Sequence, residues 1–260
     1  MNGVDLTPYL ERPLTPPDEE AVAQAAAGPR DPSTALPLTD VDRLLDPTPL
    51  EVETGWWVLE DGTAQVAART PMPGVSPEMV DWWFDWHPRE AIRYRIWHPV
   101  AHFDNSLEAP AHPGAKPFWG AVHHPVEDVG VGVVHARICF RDPSLLGMSP
   151  EALAAAHVGT VLAAEVGDDR RHMRHSLMFH VFLRQGDGLL LRSRFWLGAA
   201  IRPYGPAGTL LGGLLNRRAV RRRTLPAAAP RALARHCVEE YANLAALLPE
   251  LYERFSESAS

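Results

Sequence analysis

The sequence predicts an α+β fold in which a curved antiparallel sheet encloses a long C-terminal helix. Between about Arg231 and Phe255, apolar residues recur at helical spacing and mark one buried helix face. Before this helix, from Ala91 to Leu197, apolar or alternating runs are separated by turn signals, which is the pattern of consecutive strands. A sheet that curls around a final helix is the helix-grip arrangement, and it leaves room for a ligand cavity between the two.

Length and composition predict an ordinary globular chain. With 260 residues, 46% hydrophobic and 22% charged, the chain is long enough for one sizeable core. A net charge of −7 argues against general electrostatic binding of nucleic acid. Neither a run of about 18 apolar residues nor a signal-peptide pattern is visible. Cys139 and Cys237 lie too far apart for a CxxC pair, so no disulfide framework is expected and a cytoplasmic location fits best.

Residues 1–50 are predicted to form an N-terminal extension to a catalytic domain at 51–260. The extension holds nine of the 25 prolines, so only short helices fit there, at Asp18–Ala27 and Thr39–Leu45. Such a proline-rich arm needs a surface to lie on, either the main domain or a partner subunit. A homodimer is therefore expected.

A hairpin and a tryptophan-rich helix are predicted at the start of the main domain. A strand near Gly55–Arg69 contains the turn signal Asp61-Gly62. Ser76 then fits as the N-cap of a short helix, with Pro77 at its first position. Three tryptophans of this helix are expected to form core or cavity wall rather than to read a ligand, and they are Trp82, Trp83 and Trp86.

Six further strands are predicted before a connection rich in glycine, proline and arginine at Gly198–Pro226. The strands are Ile92–Val100, Phe118–Val126, Val131–Phe140, His157–Val166, Leu177–Arg184 and Leu189–Leu197. The last two form a hairpin, because the loop Gln185-Gly186-Asp187-Gly188 joins them. An arginine cluster in the connection fits a solvated, partly helical surface better than an anion site, and its members are Arg217, Arg218, Arg221, Arg222 and Arg223.

The C-terminal helix carries two metal-competent side chains within its apolar stripe. His236 and Glu240 lie one turn apart on the same face as Cys237 and Leu244. An ionisable pair that faces a core is costly unless something neutralises it, and a divalent metal ion would do so. An ordinary salt pair at the edge of the stripe is the alternative interpretation, and the helix alone leaves both open.

Other candidate residues come from the strand region. If residues 92–100 continue as a regular strand, Tyr94 and His102 share one face because an even number of residues separates them. Glu127 follows a predicted strand, where it would be either a ligand or an ordinary turn acid. His180 interrupts the apolar run Leu177–Leu183, and a histidine in such surroundings suits either a general base or a hydrogen-bonded core position. Three further histidines are given no site role, and they are His98, His123 and His124.

Several segments together resemble the 2,4-diacetylphloroglucinol hydrolase family, which includes phloretin hydrolase. They are MPGVSPEMVDWWFDWHP, RYRIWHPVAHFDN, VEDVGVG, LLLRSRFWLG and HCVEEYANLAALLPELY, in the family's order from about Gly55 to the C-terminus. The resemblance implies a helix-grip fold of the Bet v 1/START-like type. It also implies a hydrolase that uses one zinc ion per chain to cleave the carbon–carbon bond between an acyl group and a phenolic ring.

The resemblance also assigns roles to residues of this sequence. The zinc ligands fall on His102, Glu127, His236 and Glu240, and the catalytic histidine falls on His180. The residues that bond the phenolic hydroxyls fall on Tyr94 and Asn105, and a third substrate-binding position falls on Phe195. A tyrosine is expected where Phe195 stands, and its missing hydroxyl affects substrate preference rather than the metal machinery.

Chemically, the implied reaction is of retro-Claisen type. The metal polarises a carbonyl or a water, and His180 moves the proton. Because four protein ligands describe a closed zinc site, catalysis is expected to require either expansion to five-coordination or one weakly held carboxylate, for which Glu127 is the candidate. Two other function classes stay open on the sequence alone: a metal-free helix-grip protein that binds or cyclises an aromatic polyketide, and a structural partner with a vestigial cavity.

Overall fold

Antiparallel strands form the body of the protein in the computed structural model, which describes residues 5–110, 114–205 and 214–256. The strands of this described part are β1 (Gly55–Val58), β2 (Ala64–Met72), β3 (His102–Asp104), β4 (Leu107–Glu108), β5 (Val122–His123), β6 (Val126–Asp128), β7 (Val133–Arg141), β8 (Val158–Asp168), β9 (Met173–Gln185) and β10 (Gly188–Pro203). Their order across the sheet is β1-β2-β10-β9-β8-β7-β5-β4, while β6 pairs with both β7 and β3.

One long helix and several short ones complete the described fold. The α-helices are α1 (Thr7–Leu10), α2 (Glu19–Ala26), α3 (Pro77–Trp86), α4 (Ala91–Arg95), α5 (Pro150–Leu153), α6 (Arg218–Thr224) and α7 (Ala229–Phe255). Short 3-10 helices lie at Pro32–Thr34, Leu38–Leu44, His87–Arg89 and Pro143–Leu146. The inner face of the sheet and α7 share one apolar core, so the predicted antiparallel sheet around a C-terminal helix is confirmed.

The two faces of the sheet belong to different cores. On β9, Phe179 and Val181 belong to an outer cluster, while Met178 and Phe182 belong to the inner core with α7. Because side chains alternate across a strand, a continuous apolar run results when both faces are covered. The same alternation turns His180 toward the inner face.

Helix α3 begins as predicted. Pro77 opens the helix, and the Ser76 hydroxyl accepts a hydrogen bond from the Met79 amide at 3.4 Å. Trp83 and Trp86 are buried in the inner core, and the Trp86 ring stacks on Phe255 of α7 at 5.7 Å. These tryptophans therefore form core rather than cavity lining.

The N-terminal segment packs on both sides of the main domain. The helix predicted at Asp18–Ala27 is α2, and the one predicted at Thr39–Leu45 is the 3-10 helix Leu38–Leu44. Tyr9 is buried against α7, where its hydroxyl donates to Glu250 at 2.7 Å. Farther along, Leu36, Val41, Leu44 and Leu45 join the outer cluster, so this segment covers the outer face of the sheet.

Two predicted strands, one before β3 and one after it, are wrong as continuous strands. The run Ile92–Val100 is α4 followed by a turn, in which the Ile96 amide donates to the Ile92 carbonyl. Its apolar residues fit helical spacing as well as alternation, and Pro99 cannot donate in a strand ladder. The run Phe118–Val126 contains β5 and only the first residue of β6, because Pro125 interrupts strand pairing between them.

The connection after β10 is partly helical, as its composition predicted. Residues 218–224 form α6, whose side chains are exposed or half-buried, and Arg221 forms an ion pair with Asp61 at 2.6 Å. Residues 206–213 lie outside the described part of the chain. None of the described helices has the length and apolarity needed to cross a membrane.

Gly167 is expected to be a strict requirement of the β8–β9 pairing. The register shifts between Val166 and Gly167, and a Cβ at Gly167 would lie 2.1 Å from the Met173 carbonyl oxygen. Gly167→Ala should therefore lower the free energy of unfolding by about 1–3 kcal/mol, measured by urea denaturation. Gly28→Ala is the control, because nothing lies within 4 Å of its Cβ position. Equal stability of the two variants would contradict the prediction.

Candidate metal centre and cavity

Helix α7 presents two ligand-type side chains toward the sheet. His236 and Glu240 are 6% and 8% exposed, and their spacing of four residues places both on the buried face. The His236 Nε2 atom lies 3.7 Å from the Glu240 Oε2 atom. The apolar stripe of the helix therefore carries an ionisable pair into the core.

His102 meets this pair from the first position of β3. It is fully buried, and its Nε2 atom lies 3.4 Å from His236 Nε2 and 3.6 Å from Glu240 Oε2. Its Nδ1 atom lies 3.2 Å from the Tyr94 carbonyl oxygen. Because a carbonyl only accepts, this contact places the proton on Nδ1 and leaves a lone pair on Nε2, the usual state of a metal-binding histidine.

Glu127 stands beside this trio on β6. It is the register partner of His102, and its Oε2 atom lies 3.6 Å from His102 Nε2 and 4.0 Å from His236 Nε2. The Tyr94 hydroxyl donates to the same oxygen. Three elements thus converge: the donor atoms of His102, His236 and Glu240 all lie within 4.8 Å of one another, and the Glu127 carboxylate lies within 4.0 Å of both histidines.

The donor set and its spacing fit a divalent metal ion. Nitrogen and oxygen ligands at about 2.0–2.2 Å in tetrahedral geometry are separated from one another by about 3.3–3.6 Å. The trio shows 3.4–3.7 Å. Neutral histidines and carboxylates are also the donors that such an ion requires.

Burial favours the neutral form of each of these groups. Desolvation, then the charge of Glu127, raises the pKa of Glu240 well above its usual range, and desolvation raises the pKa of Glu127. Desolvation also lowers the pKa of His236 to about 3. A divalent cation would offset two carboxylate charges here, whereas a salt pair would need a protonated histidine that burial opposes. The geometry favours the metal interpretation over the salt pair.

A cavity of about 470 Å³ opens beside the cluster. Its wall includes every residue that the sequence assigned to the site except His102, namely Tyr94, Asn105, Glu127, His180, Phe195, His236 and Glu240. His102 lies behind the wall, where its ring stacks on the Tyr94 ring at 4.0 Å. One cavity therefore gives access to the candidate ligands and to the proposed proton carrier.

His180 is held on the sheet by its neighbour on β10. It pairs in register with Ser193, and its Nδ1 atom lies 2.8 Å from the Ser193 hydroxyl oxygen. Burial lowers the pKa of His180 to about 3, so its imidazole is neutral at physiological pH. The ring also contacts Phe195 and Tyr241, with centroids 5.4 and 4.9 Å away. The Nε2 atom is therefore the nitrogen left for proton transfer.

The three residues expected to contact a substrate are placed differently. Tyr94 comes from α4, not from a strand, and its hydroxyl is engaged by Glu127. Asn105 follows β3 and is buried, and its Oδ1 atom has no hydrogen-bond partner among the described residues. Phe195, on β10, adds only an apolar ring to the wall. Asn105 is thus the one of the three with unused hydrogen-bonding capacity.

Sequence reasoning missed other residues around the site. His87 and His123 are buried and line the cavity, with ring centroids 5.4 Å apart. Trp97 donates from Nε1 to the Glu240 carbonyl at 2.9 Å. The ring of His98 stacks on His236 at 5.4 Å. Among these residues, only His123 had a sequence signal: on a strand, His123 and His124 point to opposite faces, so one of the two had to point inward.

Known proteins resemble this chain along most of its length. Residues 36–253 match the family model described as DAPG hydrolase PhiG domain. Phloretin hydrolase of Eubacterium ramulus is 31% identical over 258 residues, covering 94% of this chain and 88% of that protein. A 2,4-diacetylphloroglucinol hydrolase of Pseudomonas protegens is 32% identical over 231 residues, covering 86% and 75% respectively. Among solved structures, the Zhui aromatase/cyclase from Streptomyces sp. R1128 matches with 14% identity and a TM-score of 0.39, covering 75% of this chain and 98% of that one.

Replacing Glu240 should have opposite effects with and without metal. Burial raises the pKa of Glu240 in the metal-free fold. The carboxyl group therefore lowers the free energy of unfolding at any pH above the pKa of an unfolded glutamate. Metal-free Glu240→Gln should therefore unfold at a higher temperature than the wild type at pH 7, and the difference should shrink as the pH is lowered. Added Zn²⁺ should stabilise the wild type more than the variant.

Thermal denaturation with chelator or with Zn²⁺ measures both effects. Glu239→Gln is the matched control, because the neighbouring Glu239 forms a surface ion pair with Arg235 at 2.7 Å. This control should keep the full stabilisation by Zn²⁺. If Glu240→Gln keeps it as well, Glu240 is not a ligand.

Proposed function

The chain belongs to the 2,4-diacetylphloroglucinol hydrolase family and is a hydrolase of carbon–carbon bonds in ketones, and we propose that it uses one zinc ion to remove an acyl group from a polyphenolic ring. The observation that carries the proposal is that His236 and Glu240, whose donor atoms meet that of His102, line the cavity that His180 also lines. Water is the co-substrate: its hydroxyl goes to the acyl carbon to give a carboxylic acid, and its hydrogen goes to the ring carbon.

The proposed zinc ligands are His102, His236 and Glu240, with Glu127 as the fourth. Glu127 lies farthest from His236 and is shared with the Tyr94 hydroxyl, which makes it the ligand best able to yield a position. A bound zinc ion would supply Lewis-acid polarisation of the substrate carbonyl or of water. Tyr94 has a second role besides bonding Glu127: its backbone carbonyl accepts from His102 and so fixes the proton of that ring on Nδ1.

His180 is the proposed proton carrier. The ring tautomer that places a keto group beside the acyl group turns the bond to be broken into part of a 1,3-diketone. The neutral Nε2 of His180 takes a proton from the attacking water. When the carbon–carbon bond breaks, its electron pair passes into the ring as an enolate, and His180 returns the proton to the ring carbon. Ser193 holds the opposite nitrogen during both transfers.

The other wall residues would orient the ring. The amide oxygen of Asn105, which no group in the described part of the chain bonds, suits a phenolic hydroxyl donor. Phe195 offers an apolar edge near His180 and no hydrogen bond. Substrate recognition thus depends on hydrogen bonds from one side of the ring and on shape from the other.

Zinc content and product release test the function together. Purified protein should contain about one zinc ion per chain, lose activity with chelator, and regain it with zinc. The substrates to screen are mono- and diacylphloroglucinols, phloretin-like ketones and simple 1,3-diketones, with detection of the released carboxylic acid. Zinc-free protein that binds phenolic ketones without cleaving them would contradict the proposal and favour a metal-free binding protein.

His180→Asn should reduce kcat by about 10²–10⁴-fold while zinc content stays unchanged, because proton transfer is lost and the ligands are untouched. Steady-state kinetics and metal analysis measure the two separately. His157→Gln is the control, because His157 contacts the Leu45 carbonyl at 2.7 Å and does not line the cavity. Near-normal turnover of His180→Asn would remove His180 from the mechanism.

A further inference from the structure

Asn243 joins three separate parts of the chain behind the metal cluster. Its side chain is buried on α7, three residues after Glu240. Its Oδ1 atom accepts from the Thr15 amide at 3.0 Å, and its Nδ2 atom donates to the Trp97 carbonyl at 2.8 Å. These partners fix the orientation of the amide. If it were flipped, its NH₂ group would face the Thr15 N–H, which is also a donor, and its oxygen would face the Trp97 carbonyl, which is also an acceptor.

Trp97 continues this connection to the candidate ligands. Its Nε1 atom donates to the Glu240 carbonyl, so Trp97 is bonded to α7 both at Glu240 and at Asn243. Its ring packs edge-on against His102 at 5.3 Å and against Tyr94 at 6.1 Å. The two hydrogen bonds therefore fix how the segment that carries His102 sits against the helix that carries Glu240.

The N-terminal arm, residues 5–17, holds this connection from outside. Tyr9 and Arg12 bind Glu250, seven residues after Asn243 on α7, at 2.7 and 2.8 Å. Thr15 stands between Pro13 and Pro16-Pro17, whose rings restrict the backbone on both sides. The arm thus presents the Thr15 amide to Asn243 from a stiffened segment.

We propose that Asn243 is a positioning residue that couples the N-terminal arm, through Trp97, to the geometry of the metal ligands. The inference rests on the proposed function only for the identity of those ligands. It gives the arm a role in metal affinity in addition to its contribution to stability, because the separation of His102 from His236 and Glu240 depends on the register that this connection sets.

Zinc affinity, measured by competition with a chromophoric chelator, tests the coupling. Asn243→Leu keeps the volume and removes both hydrogen bonds, so it should weaken zinc binding by about 10–100-fold. Asn243→Asp keeps the acceptor for Thr15 but loses the donor to Trp97, and a loss of similar size is expected. Thr15→Pro removes the amide donor of the arm and should weaken zinc binding by about 2- to 10-fold.

Gln65→Met is the matched control. Gln65 is also a buried amide that bonds a backbone N–H and carbonyl of the N-terminal segment, at 3.0 and 2.7 Å from Leu36, but it does so on the outer face of the sheet. Gln65→Met should lower the denaturation temperature with and without zinc while leaving zinc affinity unchanged. A purely structural Asn243 would give the same result as this control.

The outcomes separate the two proposals. Zinc affinity within twofold of wild type in folded Asn243→Leu and Asn243→Asp would overturn the positioning role and leave the proposed function standing. An unchanged affinity in Thr15→Pro alone would remove the arm from the coupling. Wild-type protein that binds no zinc would instead refute the proposed function.

Discussion

Three buried ionisable side chains and the half-buried Glu127 meet between α7 and the strands β3 and β6, and this electrostatic constraint organises the rest of the structure. Burial opposes charge on each of them, raising the pKa of Glu127 and Glu240 and lowering that of His236. Apolar packing alone would not maintain such a group, because each unpaired charge costs several kcal/mol to bury. The proposed divalent cation would offset the charge of the two carboxylates and bind the four donors. The fold would then have to hold three distant segments in register to within a few tenths of an ångström.

That register is supplied by elements outside the cluster. The pairing of His102 with Glu127 comes from β3 and β6, while His236 and Glu240 come from consecutive turns of α7. Tyr94 bonds both members of the first pair, while Trp97 bonds α7 at Glu240 and Asn243 and packs its ring against His102. His180 is independent of all of them, because its place is set by the alternation of β9 and by Ser193 across the ladder. The candidate metal ligands and the proposed proton carrier are thus positioned by separate supports.

The sequence predicted those parts whose physics is local. Helical spacing placed His236 and Glu240 on one face, and strand alternation explains why His180 points inward although its run looks uniformly apolar. The contribution of Glu127 came from family resemblance, because no local pattern distinguishes a ligand from a turn carboxylate. Tyr94 was assigned to a strand, since a short apolar run fits both periodicities and the tertiary contacts of Trp97 decide in favour of the helix. His87 lines the cavity for the same nonlocal reason, and nothing in its neighbours indicates it.

If His180 is the proton carrier, as proposed, its surroundings require the bound substrate to raise its basicity. A base whose pKa lies at about 3 accepts protons poorly near neutral pH, because proton transfer is most effective when the pKa lies near the working pH. Desolvation is the cause of this low pKa, and Phe195 and Tyr241 give the ring no carboxylate to offset it. A polyphenol in the cavity brings oxygen atoms, and negative charge develops on its ring as the carbon–carbon bond breaks. In the proposed mechanism the oxygen atoms of the bound polyphenol would raise the basicity of His180 for the first transfer, and the charge that develops on the ring would then stabilise the protonated imidazole until it returns the proton.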